Sequence, residues 1–183
     1  MIEYMADRAK INDLLRQACR GDDGAFGRLA DEVQDDLFRL ALGLGEAEAA
    51  EVVQETLLRA FVGRRRLQAG ADGMSWLAAI AVNVVRERRR WRWRREKAGA
   101  IARRLRPPLS DAQAGRDEPE RLESLAAAVA KLPPRQREAV TCRFLLRMSI
   151  RQTAEAMDCA EGTVKSAVAS ALETLRVALG YQE

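Results

Sequence analysis

Residues 148–179 read MSIRQTAEAMDCAEGTVKSAVASALETLRVAL, and their spacing decides what kind of fold this chain adopts. Apolar residues recur every three or four positions, the period of a helix packed on one side, and the pattern breaks once, around Asp158. Two helices joined by so short a turn must cross closely. The crossing needs a small residue at the contact, a residue tolerant of a left-handed backbone four positions later, and a β-branched residue six further along. Ala154, Asp158 and Val164 stand at those positions. Asp is less at ease than Gly at positive φ, but it is among the few residues that adopt it. The spacing predicts a helix-turn-helix, with a plain helical hairpin as the alternative that the same apolar pattern allows. In the first reading a second helix begins at Glu161 or Thr163 and offers Glu161, Thr163, Lys165, Ser166 and Ser170 to a major groove. Its cations are only Lys165 and Arg176, so Arg135, Arg137, Arg143, Arg147 and Arg151 are the candidates for phosphate contacts.

Outward from this stretch the same periodicity continues and strand signals are almost absent, which predicts an all-α chain. Ile11, Leu14, Leu15 and Ala18 form a first stripe, closed by Gly21-Asp22-Asp23-Gly24, a stop followed by an Asp able to cap the next helix. Phe26, Leu29, Ala30, Val33, Leu37, Leu40 and Leu44 make a second. A third helix is predicted from about Glu46 to Val62, burying Ala49, Val53, Leu57 and Phe61 and exposing Glu48, Glu51, Gln54, Glu55 and Arg59. GRRRLQAGADG, from Gly63 to Gly73, lacks helical period and reads as a loop. A fourth helix, capped by Asp72 or Ser75, carries Trp76, Leu77, Ile80, Ala81, Val84 and Val85 before the composition turns to RERRRWRWRR at Arg86. Trp91 and Trp93 are two apart and point about 200° from each other on a helix. They cannot form one stacking platform, and at least one is expected to pack on the domain.

From 99 to 121 the period fades among Pro107, Pro108, Ser110, Gly115 and Pro119. This divides the chain into two small helical domains, 1–98 and 122–183, joined by a linker. The second opens with Leu122, Leu125, Val129 and Leu132, stops at Pro133-Pro134 and resumes at Arg135. A length of 183 residues suits two such units.

Composition narrows the chemistry. There is no His, which excludes a Ser-His hydrolase triad and a His-ligated zinc site, and no catalytic or metal cluster can be assembled. Cys19, Cys142 and Cys159 form no CxxC pair and read as reduced and mostly buried. The N-terminal MIEYMADRAK has no apolar core of signal-peptide length, and no apolar run approaches a membrane span, so a soluble cytoplasmic protein without membrane insertion is expected. The net charge of +4 is unevenly spread: −4 over residues 1–85, +9 over 86–106, −3 over 107–124 and +2 over 125–183. A field so concentrated attracts phosphate or another anionic surface.

The string EAAEVVQETLLRAF, a loop, SWLAAIAVNVVRERRR, a linker and LPPRQREAVTCRFLLRMSIRQTAEAMDCAEGTVKSAV together resemble a bacterial sigma factor of the extracytoplasmic-function group. The most specific pieces are Val53-Gln54-Glu55-Thr56 with Arg59-Ala60-Phe61, and Glu161-Gly162-Thr163-Val164-Lys165-Ser166. The resemblance implies two helical domains that lend promoter recognition to core RNA polymerase, with no catalysis and no cofactor of their own. It places polymerase binding on residues 46–62, with Glu51, Gln54, Glu55 and Arg59 as contacts. It places minus-ten recognition on the 63–73 loop and the following helix. There Asn83 is the base-reading candidate, and Arg64, Arg65, Arg66, Arg86, Arg88, Arg89 and Arg90 are candidates for phosphate. Minus-thirty-five recognition falls to Arg151, Glu161, Thr163, Lys165, Ser166 and Ser170. An anti-sigma protein is the implied inhibitor, with an apolar fringe at Leu57, Leu58 and Phe61 as one landing place.

Members of that group usually carry an acidic residue and Ile at Gln152 and Thr153, Arg at Ala167 and Ser170, and Tyr-Arg at Ala78-Ala79, so the preferred minus-thirty-five sequence stays open. The competing reading is a conventional helix-turn-helix regulator whose N-terminal domain dimerises or senses a ligand. The third-helix string is what such a regulator would not need.

Overall fold

Asp7 accepts from the Ala9 N–H at 2.8 Å and opens α1 (Arg8–Cys19), whose buried side is the expected Ile11, Leu14, Leu15 and Ala18. This computed structural model describes the backbone of residues 7–67, 70–102 and 119–180; the side chains of 96, 98–102 and 119–124 lie outside the described set. Gly21, at φ +103°, turns the chain, and Asp22 caps α2 (Asp23–Gly43) through the Ala25 N–H. α3 (Ala49–Gly63) starts three residues later than the sequence predicts, because Glu46 is folded inward before it. The expected 63–73 loop begins as a 3₁₀ turn, Arg64–Arg66. Asp72 caps α4 (Gly73–Ala102), accepting from the Ser75 N–H at 2.8 Å and its hydroxyl at 2.6 Å.

α4 is 30 residues long. At 1.5 Å per residue it extends about 45 Å, and it carries its helical backbone past position 99, where the linker is predicted to begin. α5 (Pro119–Lys131) likewise starts inside the predicted linker, and the rest of that segment, 103–118, is outside the described residues. The remaining elements are α6 (Pro134–Val140), a π-helical turn (Thr141–Leu145), α7 (Ile150–Met157) and α8 (Glu161–Ala178). All described elements are helical, and none is long and apolar enough to cross a membrane.

α7 and α8 form the predicted crossing. Ala154 and Val164 are buried in one cluster with Ala139 and Met157, and Asp158 closes α7 at φ 51°, ψ 61°. Ser149 caps α7 reciprocally with Gln152: each side chain bonds the other's backbone N–H, at 3.1 and 2.8 Å.

α1 to α4 enclose a core built on Leu29, Leu37, Leu40, Leu77, Val82 and Val85, and that core does not stop at the N-terminal half. Cys142, Leu146, Met148 and Ala156 belong to the same buried cluster. Polar contacts follow it across: the Thr141 hydroxyl donates to the Gly43 carbonyl at 3.3 Å, and Arg8 donates to the Leu146 carbonyl at 2.8 Å. α2 can approach this closely because position 43 lacks a side chain; a Cβ there would lie 2.6 Å from Thr141 Cγ2. The two halves are thus closed on one another.

One expectation fails outright. Neither Trp91 nor Trp93 packs on the body; both are 56% exposed, each capped by a cation one turn along α4, Arg95 at 4.4 Å and Lys97 at 4.3 Å from the ring centres.

Candidate nucleic-acid interface

α3 and α4 lie side by side, and their charges interlock. Arg92 grips the buried Glu46 carboxylate with both terminal nitrogens, at 2.7 and 2.5 Å, while Arg88 reaches Glu48 and, at 2.8 Å, Glu51. Further along, Arg59 binds Glu55 at 2.6 Å on its own helix and Glu87 at 2.8 Å on α4. The Glu87 bond, then the Glu55 bond, hold the Arg59 guanidinium well above its ordinary value, and Arg59 in turn lowers the Glu87 carboxyl. Three members of the predicted polymerase face, Glu51, Glu55 and Arg59, therefore have partners inside the fold.

Gln54 is exposed, and one and two turns beyond it stand Leu58 and Val62, the latter 74% exposed. The expected apolar fringe is thus displaced. Leu57 and Phe61 turn inward against the core, Phe61 edge-on to Phe26 at 5.2 Å, and Leu58 with Val62 makes the outward stripe.

Beside this seam opens a cavity of about 570 Å³ lined by Arg59, Gly63, Arg66, Leu67, Ala71, Trp76, Ile80, Asn83 and Glu87. The end of α3 and the turn after it supply one wall and α4 the other, so two sequence candidates, Asn83 and Arg66, both line it. Asn83 is exposed and its amide carries both donor and acceptor. Trp76, expected in the core, is half-buried, packing on the core while also lining the cavity.

The arginine candidates separate. Arg64 is a correction: it is buried, its guanidinium 3.6 Å from the Phe61 ring centre and bonded to Asp23 at 2.5 Å and to the Phe61 carbonyl, so it holds the turn to the body. Arg86 is also engaged. It binds Glu138 of α6 at 3.1 and 2.7 Å and the Met157 carbonyl at 3.0 Å, and in the closed arrangement it is not free for phosphate. Arg65, Arg66 and Arg90 are exposed; Arg89 is half-buried, its charge helping burial to lower Arg137.

On the C-terminal half, Glu161, Thr163, Lys165, Ser166 and Ser170 all face outward along α8, and Arg151 is exposed on α7 while pairing with Glu155 at 3.0 Å. The Ser166 hydroxyl donates to the Gly162 carbonyl at 3.0 Å. Thr153 is fully buried, and its hydroxyl has no partner among the described residues, an energetic cost that an apolar side chain there would avoid.

Sequence reasoning missed the two carboxylates that organise these surfaces, Glu46 and Glu138, both 2% exposed. For Glu138 a signal existed: it falls one turn before Cys142 on the buried side of its helix.

Comparison with known proteins matches the sigma-70 region 4 family to residues 122–175. Along the whole chain, the extracytoplasmic-function (ECF) RNA polymerase sigma factor BldN of Streptomyces coelicolor is 35% identical over 93% of this chain and 66% of its own length. The ECF sigma factor SigM of Mycobacterium tuberculosis is 34% identical over 92% of this chain and 84% of its own. The sigma factor RpoE of Bartonella quintana, solved in complex with the anti-sigma factor NepR, superposes with a TM-score of 0.68 at 26% identity, covering 82% of this chain and 94% of that one. A fold of two helical units in this order, with such similarity running through both, means that this chain belongs to the ECF RNA polymerase sigma factors.

Proposed function

We propose that this protein is an alternative sigma factor that binds core RNA polymerase in the cytoplasm and directs initiation at a limited set of promoters. The observation that carries the reading is the cavity lined by both Asn83 and Arg66, next to the charged α3–α4 seam. A base turned out of a duplex needs a shaped pocket with apolar walls, a polar edge and cations nearby, and this cavity offers Trp76 and Ile80, Asn83, and Arg66 with Arg59. Glu51, Gln54, Glu55 and Arg59 dock on the polymerase, with Leu58 and Val62 adding apolar contact. Arg65, Arg66, Arg89 and Arg90 hold minus-ten phosphates, joined by Arg86 once the halves separate. Arg151, Glu161, Thr163, Lys165, Ser166 and Ser170 meet the minus-thirty-five element, with few cations on α8 itself. The domains act as 1–98 and 122–183.

Inhibition by an anti-sigma protein is supported by an apolar groove of about 640 Å³ spanning α2, α5 and α8, into which Leu42, Leu125, Phe144, Leu145 and Leu172 face while each keeps roughly half its surface exposed. The conventional-regulator reading has no feature of its own here, since similarity to sigma factors runs through both halves. Run-off transcription with purified core polymerase on a random promoter library tests the proposal. Promoter-dependent RNA is expected, and its absence together with failure to co-elute with core enzyme overturns the reading. Glu55→Arg should weaken core binding about tenfold without unfolding the chain, as reversal of a charge at a partner surface does; unchanged affinity removes Glu55 from the docking face.

A further inference from the structure

Among the described residues, two other than glycine adopt positive φ, Asp158 and Arg147. Asp158 is accounted for by the α7–α8 crossing. Arg147, at φ 48°, is not, and a residue with a Cβ is disfavoured in that conformation. The backbone around it is pinned from both sides. Leu146 and Met148 are buried, and their N–H groups donate to the Thr141 and Cys142 carbonyls at 3.3 and 3.2 Å. Their own carbonyls accept from Arg8 and Arg143. The turn thus imposes the left-handed state whatever residue stands at 147, and a glycine would meet it without strain. The arginine found there is exposed, and its guanidinium has no ion pair or hydrogen bond with any described residue.

That sets Arg147 apart from the other arginines around the helix-turn-helix. Arg135 donates to the Met157 carbonyl at 3.1 Å, Arg137 to the Leu44 and Leu132 carbonyls at 3.3 and 3.0 Å, and Arg143 to the Met148 carbonyl. Arg176 pairs with Glu173 at 3.0 Å. Arg151 is tied only to Glu155, and its side chain is 80% exposed, so little is lost when that pair opens. α8 itself keeps Lys165 as its one cation near the groove end, with Ala167 and Ser170 where the group usually carries Arg. In a helix-turn-helix the first helix crosses the DNA backbone while the second enters the major groove. Arg147 stands on the turn leading into that first helix, on the phosphate side of the motif, four positions before Arg151. The geometry points to Arg147 as a phosphate clamp on the minus-thirty-five duplex, acting with Arg151 and standing in for the cations that α8 lacks. This rests on the sigma-factor reading and names within it a residue that holds the DNA backbone.

The test uses holoenzyme and a promoter selected by the wild-type protein, with binding measured over a range of KCl concentrations. Arg147→Gly removes the cation while relieving the backbone, so urea unfolding should show no loss of stability. Promoter affinity should nevertheless fall about tenfold, equally for every minus-thirty-five sequence, and the slope of log affinity against log salt should drop by about one. Arg147→Lys should keep the wild-type slope. On promoter DNA that ends downstream of the minus-thirty-five element, wild type and Arg147→Gly should bind alike. Unchanged affinity and slope in Arg147→Gly overturn the inference. A loss that persists on the shortened DNA also overturns it, by placing Arg147 against the polymerase, as does a loss confined to one minus-thirty-five base pair, which would make it a base reader. A wild-type holoenzyme that makes no transcript would instead sink the sigma-factor reading itself, so the two failures are distinguishable.

Discussion

Cys142 sits under the C-terminal helices within the shared core, and burial pushes its thiol from 9.0 up to about 12. The fold therefore holds the neutral form. Above about pH 9 an unfolded chain releases that proton while the folded chain keeps it, so the contribution is complete below pH 9 and is lost as pH rises toward 12. Stability should fall by up to about 1.4 kcal/mol per pH unit across that window from this group alone. Urea unfolding of wild type and Cys142→Ala at several alkaline pH values checks it: the variant's slope should be flatter, and equal slopes would mean that the thiol meets solvent. Among single residues, those whose demands are local were legible. Asp158 was legible because a tight turn constrains its own backbone. Arg64 was not, because its partner Asp23 is 41 positions away and nothing near Arg64 distinguishes it from Arg65 and Arg66, which stay exposed.

Among elements, the α3–α4 seam shows how burial decides what a charge contributes. Glu46 is buried with Arg92 on both its oxygens, whereas the Glu48 carboxylate is 63% exposed. Glu46→Ala leaves a guanidinium partly desolvated and should cost about 2–4 kcal/mol, while Glu48→Ala should cost less than about 1 kcal/mol. Chemical denaturation of the two variants compares them directly; equal losses would place Glu46 among ordinary surface pairs. The apolar stripes of α1, α2 and α4 were readable since periodicity alone fixes which face is buried. Helix limits were less so. α4 passes its predicted end because Gly99 does not stop it and the next Pro comes only at 107, and α3 starts late because Glu46 serves as an anchor for α4.

At the scale of the whole molecule, the closed arrangement joins the shared apolar core to the pair Arg86 and Glu138, the latter nearly inaccessible to solvent. The linker allowed either a compact or an extended chain, and sequence could not choose between them, because the choice depends on pairs more than fifty positions apart. Removing one partner of such a buried pair strands the other. Wild type should show a radius of gyration near 16 Å, the value for a compact chain of this length, and Glu138→Arg a larger one. The double reversal Arg86→Glu with Glu138→Arg should bring it back. Small-angle scattering reads all three, and an unchanged radius in Glu138→Arg would assign closure to the shared apolar core alone.

The absent side chain at Gly43 carries this further. Thr141 occupies the volume a methyl would need, and Thr141 is itself buried and branched, with little freedom to yield. An alanine at 43 would therefore press on Thr141 and strain the seam between the halves. Closure is then tunable at a position that carries no charge and no side chain, by a single base change that adds one methyl group where the halves meet.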